Sequence, residues 1–313
     1  MVSWVWDQHT CLPLDPDADV APLTRYRPGY LSVNVGYTPQ SKADSLALLA
    51  SFRAQVAADP RMELATDPAG VERAVSAGRI AVAFDLEDSG PLGGSLDSVR
   101  EFVELGVRTL LPSYNHTNAA GCGCLDAVDT GLTAWGRDLV RAMNAAGMVP
   151  DGSHCSARTG LDMCAVSTKP VVYSHSCLKS VWDHPRNITD DQARACAETG
   201  GVVGITGVGI FLGPNTPTVE AMIRHLEAAV ELVGIDHVGV STDFSFDAAD
   251  FLREVEANPE LFDASYTRWG TIRWMPPEEF LTLGPALLVR GWSPADVTAV
   301  LSGNFLRVAR ESW

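Results

Sequence analysis

Histidine, carboxylate and phenol side chains recur in this sequence at one kind of place, the carboxyl end of a short apolar run. Asp7 and His9 follow the first run, and Asp85 and Glu87 end the run that begins at Ile80. Tyr114 and Asn115 follow Val107–Leu111. His154, His175 and Asp243 end the runs that begin at Met148, Val171 and His237. Asp85 and Glu87, two apart, share one face of a strand. Taken singly, each residue has an ordinary reading: a histidine satisfied in a core, or an aspartate capping a helix. Recurrence on at least five separate runs changes that reading, because capping does not select histidine. Imidazole nitrogen and carboxylate oxygen together suit zinc. Two metals bridged by a carboxylate acidify a shared water, and that is machinery for hydrolysing an amide.

The elements that must position these residues can be read from hydrophobic patterning. Strands are expected at Val2–Asp7, Leu31–Val35, Ile80–Glu87, Val107–Leu111, Met148–His154, Val171–His175, Val202–Thr206 and His237–Asp243. Most are continuous apolar runs, as in parallel strands buried on both faces. Helical patterns lie between them. Leu132, Trp135, Leu139, Val140 and Met143 form a stripe stopped by Gly147, and Val219 to Val233 form another stopped by Gly234. Thr189 with Gln192 reads as a capping box, and Ser293-Pro294 as an N-cap with proline at the first helical position. Eight alternations predict an α/β fold of the (β/α)8 TIM-barrel type, filling residues 1–313 as one domain, with every strand's carboxyl end opening on one mouth. An open doubly wound sheet is the rival. It usually carries a glycine-rich turn after strand one, where this chain has Gln8-His9-Thr10-Cys11.

Composition narrows the partners. In 313 residues, 23 Lys and Arg face 39 Asp and Glu, a formal charge of −16, which argues against nucleic acid and against anionic membranes. No apolar run approaches a membrane span, and Met1–Asp7 has no basic segment and does not read as a signal peptide. The seven cysteines, an odd number spread from Cys11 to Cys196, read as reduced thiols in a cytoplasm. Cys122-Gly123-Cys124 has no matching second pair and reads as structural. Cys155 and Cys177 sit beside candidate ligand histidines, which serve a metal better than a Cys–His nucleophile pair. His225 reads as packing or surface, His184 as shaping the Pro185-Arg186 loop, and His237 as opening a strand away from the mouth. Asp247 to Trp274 has no clear period and reads as a lid, an oligomer contact (a homodimer stays open) or a surface loop with a short helix.

Several stretches, in order, resemble the membrane (renal-type) dipeptidases, metallopeptidases of the amidohydrolase superfamily. They are Phe84-Asp85-Leu86-Glu87, Leu105-Gly106-Val107-Arg108, Thr130 to Arg137, Met143 to Met148, Ser153-His154-Cys155, Ser174-His175-Ser176, His184-Pro185-Arg186-Asn187 and Asp236 to Asp243. The resemblance runs from about Trp6 to Trp313. It implies a zinc-dependent hydrolase that cleaves dipeptides, small-molecule substrates, with a D-residue tolerated on the C-terminal side. It implies that His9 holds a first metal, that Glu87 bridges two metals and that His154 and His175 hold the second. It further implies that Arg186 receives the substrate carboxylate and that Asp243 shuttles the proton.

Two departures stand out. The family's His-x-Asp is His9-Thr10-Cys11 here, so Cys11 becomes the candidate ligand beside His9; a thiolate can bind zinc but is softer than a carboxylate, which leaves occupancy of the first site open. The family's histidine after strand four falls on Tyr114, whose hydroxyl suits an oxyanion donor, with His116 nearby. Three rivals stay in view. One is a hydrolase of another amide or a lactone. The second is a degenerate barrel that binds a ligand or zinc without turnover. The third is a glycosidase on Asp85 and Glu87, which lie on one strand rather than across a sugar bond.

Overall fold

The computed structural model describes residues 4–26 and 29–313. Its strands are β1 (Trp6–Cys11), β2 (Tyr30–Asn34), β3 (Met62–Leu64), β4 (Ile80–Leu86), β5 (Val107–Leu110), β6 (Val149–Pro150), β7 (Val172–Tyr173), β8 (Val202–Ile205), β9 (Val238–Val240) and β10 (Phe244–Ser245). They pair in parallel in the orders β10-β1-β2-β4-β5-β6 and β7-β8-β9, with β3 a spur on β4. A parallel bridge between Asp151 and Val172 joins β6 to β7. At the opposite seam β9 leads into β10, which pairs with β1, and the Asp243 N–H donates to the His9 carbonyl at 3.0 Å. With β9–β10 counted as one stave and β3 left outside, eight staves complete the ring of a (β/α)8 barrel.

The sequence builds this ring in the expected way. Every residue of β2, β4 and β8 is buried, because helices cover the outside and side chains fill the inside. The helix Ala134–Ala146 starts on the Thr133 side chain and stops at Gly147, whose φ of 82° suits glycine. The Thr189/Gln192 capping box opens Asp190–Glu198, and Ser293 caps Pro294–Thr298. The lower end is plugged by aromatic rings, with Trp6 stacked on Tyr30 at 3.8 Å. Among the described residues no helix is long and apolar enough to cross a membrane.

Four strand expectations need correction, the simplest being Val171–His175, which keeps only Val172–Tyr173. The first strand runs over Trp6–Cys11 rather than Val2–Asp7, and Val2 and Ser3 lie outside the described residues. His9 and Cys11 therefore belong to the strand, because pairing with β2 and β10 continues past the apolar residues. The run Met148–His154 keeps only Val149–Pro150: proline gives no N–H to a ladder, and the chain turns at His154, whose φ is 63°. The last strand is Val238–Val240, since His237 lies in a 3₁₀ turn and the Thr242 N–H is captured by the Asp7 carboxylate at 2.8 Å.

Candidate metal centre

Strand β1 brings two donors to the mouth on one face, His9 and Cys11. Its pairing with β2 shifts register between Asp7 and Thr10, where three steps on β1 oppose two on β2. A bulge of this kind re-aims the side chains within it. The His9 Nδ1–H donates to Asp85 Oδ1 at 3.0 Å, and Asp85 Oδ2 accepts from Ser32 Oγ at 2.5 Å. The ring is thereby locked with Nε2 facing the centre. There it lies 3.3 Å from Glu87 Oε1 and 3.4 Å from Cys11 Sγ.

Glu87, just beyond β4, is the hub. Its Oε1 stands 3.4 Å from His154 Nε2 and 3.4 Å from His175 Nε2, while its Oε2 accepts from Asn34 Nδ2. His154, past β6, is fixed by a bond of 2.8 Å from its Nδ1–H to Asn115 Oδ1. The Asn115 amide points that way because its Nδ2 donates to the Leu261 carbonyl at 2.9 Å. His175, past β7, pairs its Nδ1 with Ser174 Oγ at 2.7 Å. Its ring stacks on His9 with centroids 4.2 Å apart.

With their Nδ1–H groups donated outward, His9 and His154 turn Nε2 lone pairs toward a carboxylate. Acceptors facing an acceptor are held together only by a proton or a metal cation between them. As protein groups alone, the proton falls to His9: burial works to lower its pKa, but Asp85 and Glu87 outweigh burial and raise it well above the usual value. Burial pushes His154 down to about 3, with Arg186 adding to the effect, and His175 well below its ordinary range. Burial opposes ionisation of Glu87, yet the charge on His9, with the three imidazoles around its carboxylate, holds its pKa well below the usual carboxylate value. The buried His175 Nε2 finds no hydrogen bond at all, although Glu87 Oε1 is 3.4 Å away. Three sets of donor atoms lie within 4.8 Å of one another: His9, Cys11 and Glu87; Glu87, His154 and His175; and His9, His175 and Asp243. This donor set fits divalent cations.

Asp243 follows β9 with φ of 51°, its Oδ1 3.7 Å from His9 Nε2. Burial lifts its pKa to about 7, against the pull of His9 and with help from Glu87. Arg186 is almost fully buried. Its Nη1 donates to Ser176 Oγ at 3.1 Å and its Nη2 to the His175 carbonyl at 3.0 Å, while its Nε has no partner. Among the described residues no carboxylate pairs with it. Tyr114 stacks on His154 at 4.0 Å and lines, with Glu87 and Cys11, a cavity that opens to solvent. Arg186 and His154 line a second cavity.

The profile of the membrane dipeptidases, peptidase family M19, matches residues 26–271. A curated protein of Klebsiella pneumoniae, described by its place in the pqqA 5′ region, is 32% identical over 266 residues, 81% of this chain and 90% of that one. An uncharacterised dipeptidase of Schizosaccharomyces pombe is 34% identical over 192 residues, 58% of this chain; the chain spans under half, 46%, of that protein. A solved amidohydrolase of Pseudomonas aeruginosa superposes with a TM-score of 0.89 at 25% identity, covering 99% of this chain and 97% of that one. The chain belongs to the membrane dipeptidase family, peptidase family M19. As a member of M19 it is a metal-dependent dipeptidase.

Against this M19 site the sequence-derived residues sort clearly. His9, Cys11, Glu87, His154, His175 and Asp243 come together, with Tyr114 and Arg186 at their flanks. Asp7 does not join them: it is buried and accepts from Thr242 Oγ1, Tyr26 O–H and Ser241 Oγ, tying β1 to the β9 end. Asp85 lies behind His9 as an orienting carboxylate rather than a ligand. His116 pairs with Asp126 at 3.1 Å, away from the centre. His184 and His225 are buried crosslinks. Cys124 does structural work, its N–H donating to the His154 carbonyl at 2.8 Å. The unperiodic stretch from Asp247 forms helices Ala248–Ala257 and Ala264–Thr267, and its Phe262 reaches the edge of the Tyr114 ring at 6.2 Å.

Sequence reasoning missed two of the residues that hold others, Asn34 and Asp88, and placed Asn115 at the mouth without its role. Asn34 steadies Glu87, Asn115 fixes His154, and Asp88 accepts from the Tyr114 N–H at 2.8 Å. The Asp88 signal was available as a third acid one place beyond Glu87; Asn34 offered none, and Asn115 only its place at the end of a run.

Proposed function

We propose that this dipeptidase works with zinc, held by His9, Cys11 and Glu87 at one position and by Glu87, His154 and His175 at an adjoining one. The observation that carries the reading is the convergence of three imidazole Nε2 atoms on one carboxylate oxygen, with the Cys11 thiol 3.4 Å from one of them and no hydrogen bond to satisfy His175 Nε2. Imidazole, thiolate and carboxylate are all zinc ligands, and a thiolate disfavours magnesium and calcium. When bound, the metal supplies Lewis acidity at the scissile carbonyl and lowers the pKa of water.

The chain's own groups do the rest. Arg186 has an Nε–H and further Nη–H bonds left over after Ser176 and His175, a fork that takes the free carboxylate of a dipeptide bidentately. Charge neutralisation at a buried, otherwise unpaired guanidinium favours very short peptides over longer ones. The Asp243 carboxyl, with a pKa of about 7, accepts a proton as water attacks and delivers it to the leaving nitrogen. Burial first, then Glu87, keeps the Tyr114 phenol protonated, so that it donates to the carbonyl oxygen as charge develops there. Asn34, Asp85 and Asn115 hold Glu87, His9 and His154 in register.

The test combines metal counting with a dipeptide panel of L,L and L,D stereochemistry. Two zinc ions per chain are expected, falling when His154 or Cys11 is replaced by alanine, together with hydrolysis that His154→Ala abolishes. Zinc-replete protein that cleaves no dipeptide defeats the reading. One metal per chain with full activity removes Cys11 from the machinery.

A further inference from the structure

The two cavities at the metal centre share no lining residue, and the stacked pair Tyr114 and His154 stands between them. One contains Arg186. If Arg186 holds the carboxylate, as proposed above, the C-terminal residue of a dipeptide occupies that cavity. The scissile carbonyl then lies over Glu87, and the N-terminal residue can only enter the other. That other cavity is walled by Leu12, Leu14, Tyr37, Tyr114, Phe251 and Phe262. Its carboxylates, Glu87, Asp250 and Glu254, are all of one sign. Tyr37 O–H donates to Glu254 Oε2 at 2.7 Å, and Arg253 pairs with Asp250 at 2.9 Å, so both acids are anchored where they stand.

From this we infer that the apolar cavity is the subsite for the first side chain and sets the substrate class: dipeptides whose N-terminal residue is large and apolar, with acidic first residues refused. The inference rests on the dipeptidase reading of the site and adds the identity of the side chain it selects. Aliphatic and aromatic walls reward each carbon removed from water. An incoming carboxylate meets Asp250 and Glu254, and no lysine or arginine lines the cavity to pair with it. Phe251 and Leu14 are the selectors best suited to testing, because both are only half-buried and neither is one of the metal-binding groups.

The experiment measures kcat/KM of zinc-replete protein on Phe-Gly, Leu-Gly, Ala-Gly and Asp-Gly. Phe-Gly and Leu-Gly are expected to exceed Ala-Gly by at least about tenfold, the discrimination typical of an apolar pocket, with Asp-Gly slowest. Phe251→Ala and Leu14→Asn are expected to shrink the Phe-Gly to Ala-Gly ratio severalfold while Ala-Gly changes less than about twofold. Cleavage of the panel with no preference for an apolar first residue overturns the inference and leaves the dipeptidase reading intact. So does a preference that survives both substitutions. A preference that follows the second residue also overturns it, because it puts the cavity on the other side of the scissile bond. Failure to cleave any member removes both the inference and the reading beneath it.

Discussion

Replacing Arg186 with lysine keeps the charge and removes the fork. In the structure the guanidinium already gives one N–H to Ser176 Oγ at 3.1 Å and one to the His175 carbonyl at 3.0 Å, and its Nε–H is unpartnered. A dipeptide carboxylate therefore receives two charge-assisted bonds from arginine and at most one from an ammonium. Each such bond contributes about 1.5–3 kcal/mol. Losing one lowers kcat/KM by about 10- to 150-fold at 1.36 kcal/mol per factor of ten. The assay compares Leu-Gly with its C-terminal amide in both proteins. Wild type is expected to discriminate against the amide by a factor of the same size, and Arg186→Lys to discriminate far less, since the lost bond cannot be lost twice. Arg186 also braces the carbonyl of His175, so metal content and melting temperature are followed in parallel and are expected to hold. Equal rates on acid and amide in wild type, or an unaltered kcat/KM in Arg186→Lys with metal retained, would refute the anchoring argument.

Other consequences concern stability and metal affinity. His225 accepts the Leu178 N–H on Nδ1 at 3.3 Å and donates Nε2–H to the Leu212 carbonyl at 3.4 Å, so it must be neutral, and burial pushes its pKa from 6.5 down to about 4. Between those values the unfolded chain binds the proton and the folded chain does not. Stability is therefore lost as pH falls from 6.5 toward 4, by roughly 3 kcal/mol, and urea titrations of His225→Gln should show a flatter slope. Asp85→Asn removes the charge behind His9 and should weaken metal binding about 10- to 100-fold in competition with a chelator, with the fold intact by circular dichroism. Gly123→Ala drives a methyl into the backbone of Asn115 and His116, and should cost a few kcal/mol in denaturant while loosening the His154 site. Chelation should lower the melting temperature by several degrees, reversibly with zinc, because a ligand at 100 times its dissociation constant stabilises by about 2.7 kcal/mol.

The barrel could be read from the sequence because its staves are buried on both faces and appear as unbroken apolar runs, and because its helices carry ordinary caps at Thr133 and Thr189. The spur β3, only Met62–Leu64, is too short to show a period. Asp7 looked like a ligand by position and proved to be a buried acceptor for Thr242, a pairing set by chain closure 235 residues later. The helix Ala248–Ala257 buries no residue fully, so the segment over the mouth had no apolar stripe to announce it. Reading the chemistry succeeded where residue type alone limits the options, as with histidine and glutamate. It failed where the role comes from a neutral amide meeting its partner across the fold, as Asn115 meets His154.

Backbone conformation marks the same boundary. Of the four non-glycine residues with positive φ among the described residues, three serve this site: Asn115 at 56°, His154 at 63° and Asp243 at 51°. Such conformations cost of order 1–3 kcal/mol each and persist only where the surroundings over-determine them. Here they do. The Leu125 N–H holds the Asn115 carbonyl at 2.9 Å, the Cys124 N–H holds that of His154 at 2.8 Å, and the Asp243 N–H is tied to His9 at 3.0 Å. Each clamp joins a loop to the residue that must point inward. Strain at the rim is thus maintained by hydrogen bonds whose loss would let the ligand side chains turn away. That is why substitutions at loop residues such as Gly123, which touch no metal, are expected to act on metal affinity as strongly as on stability.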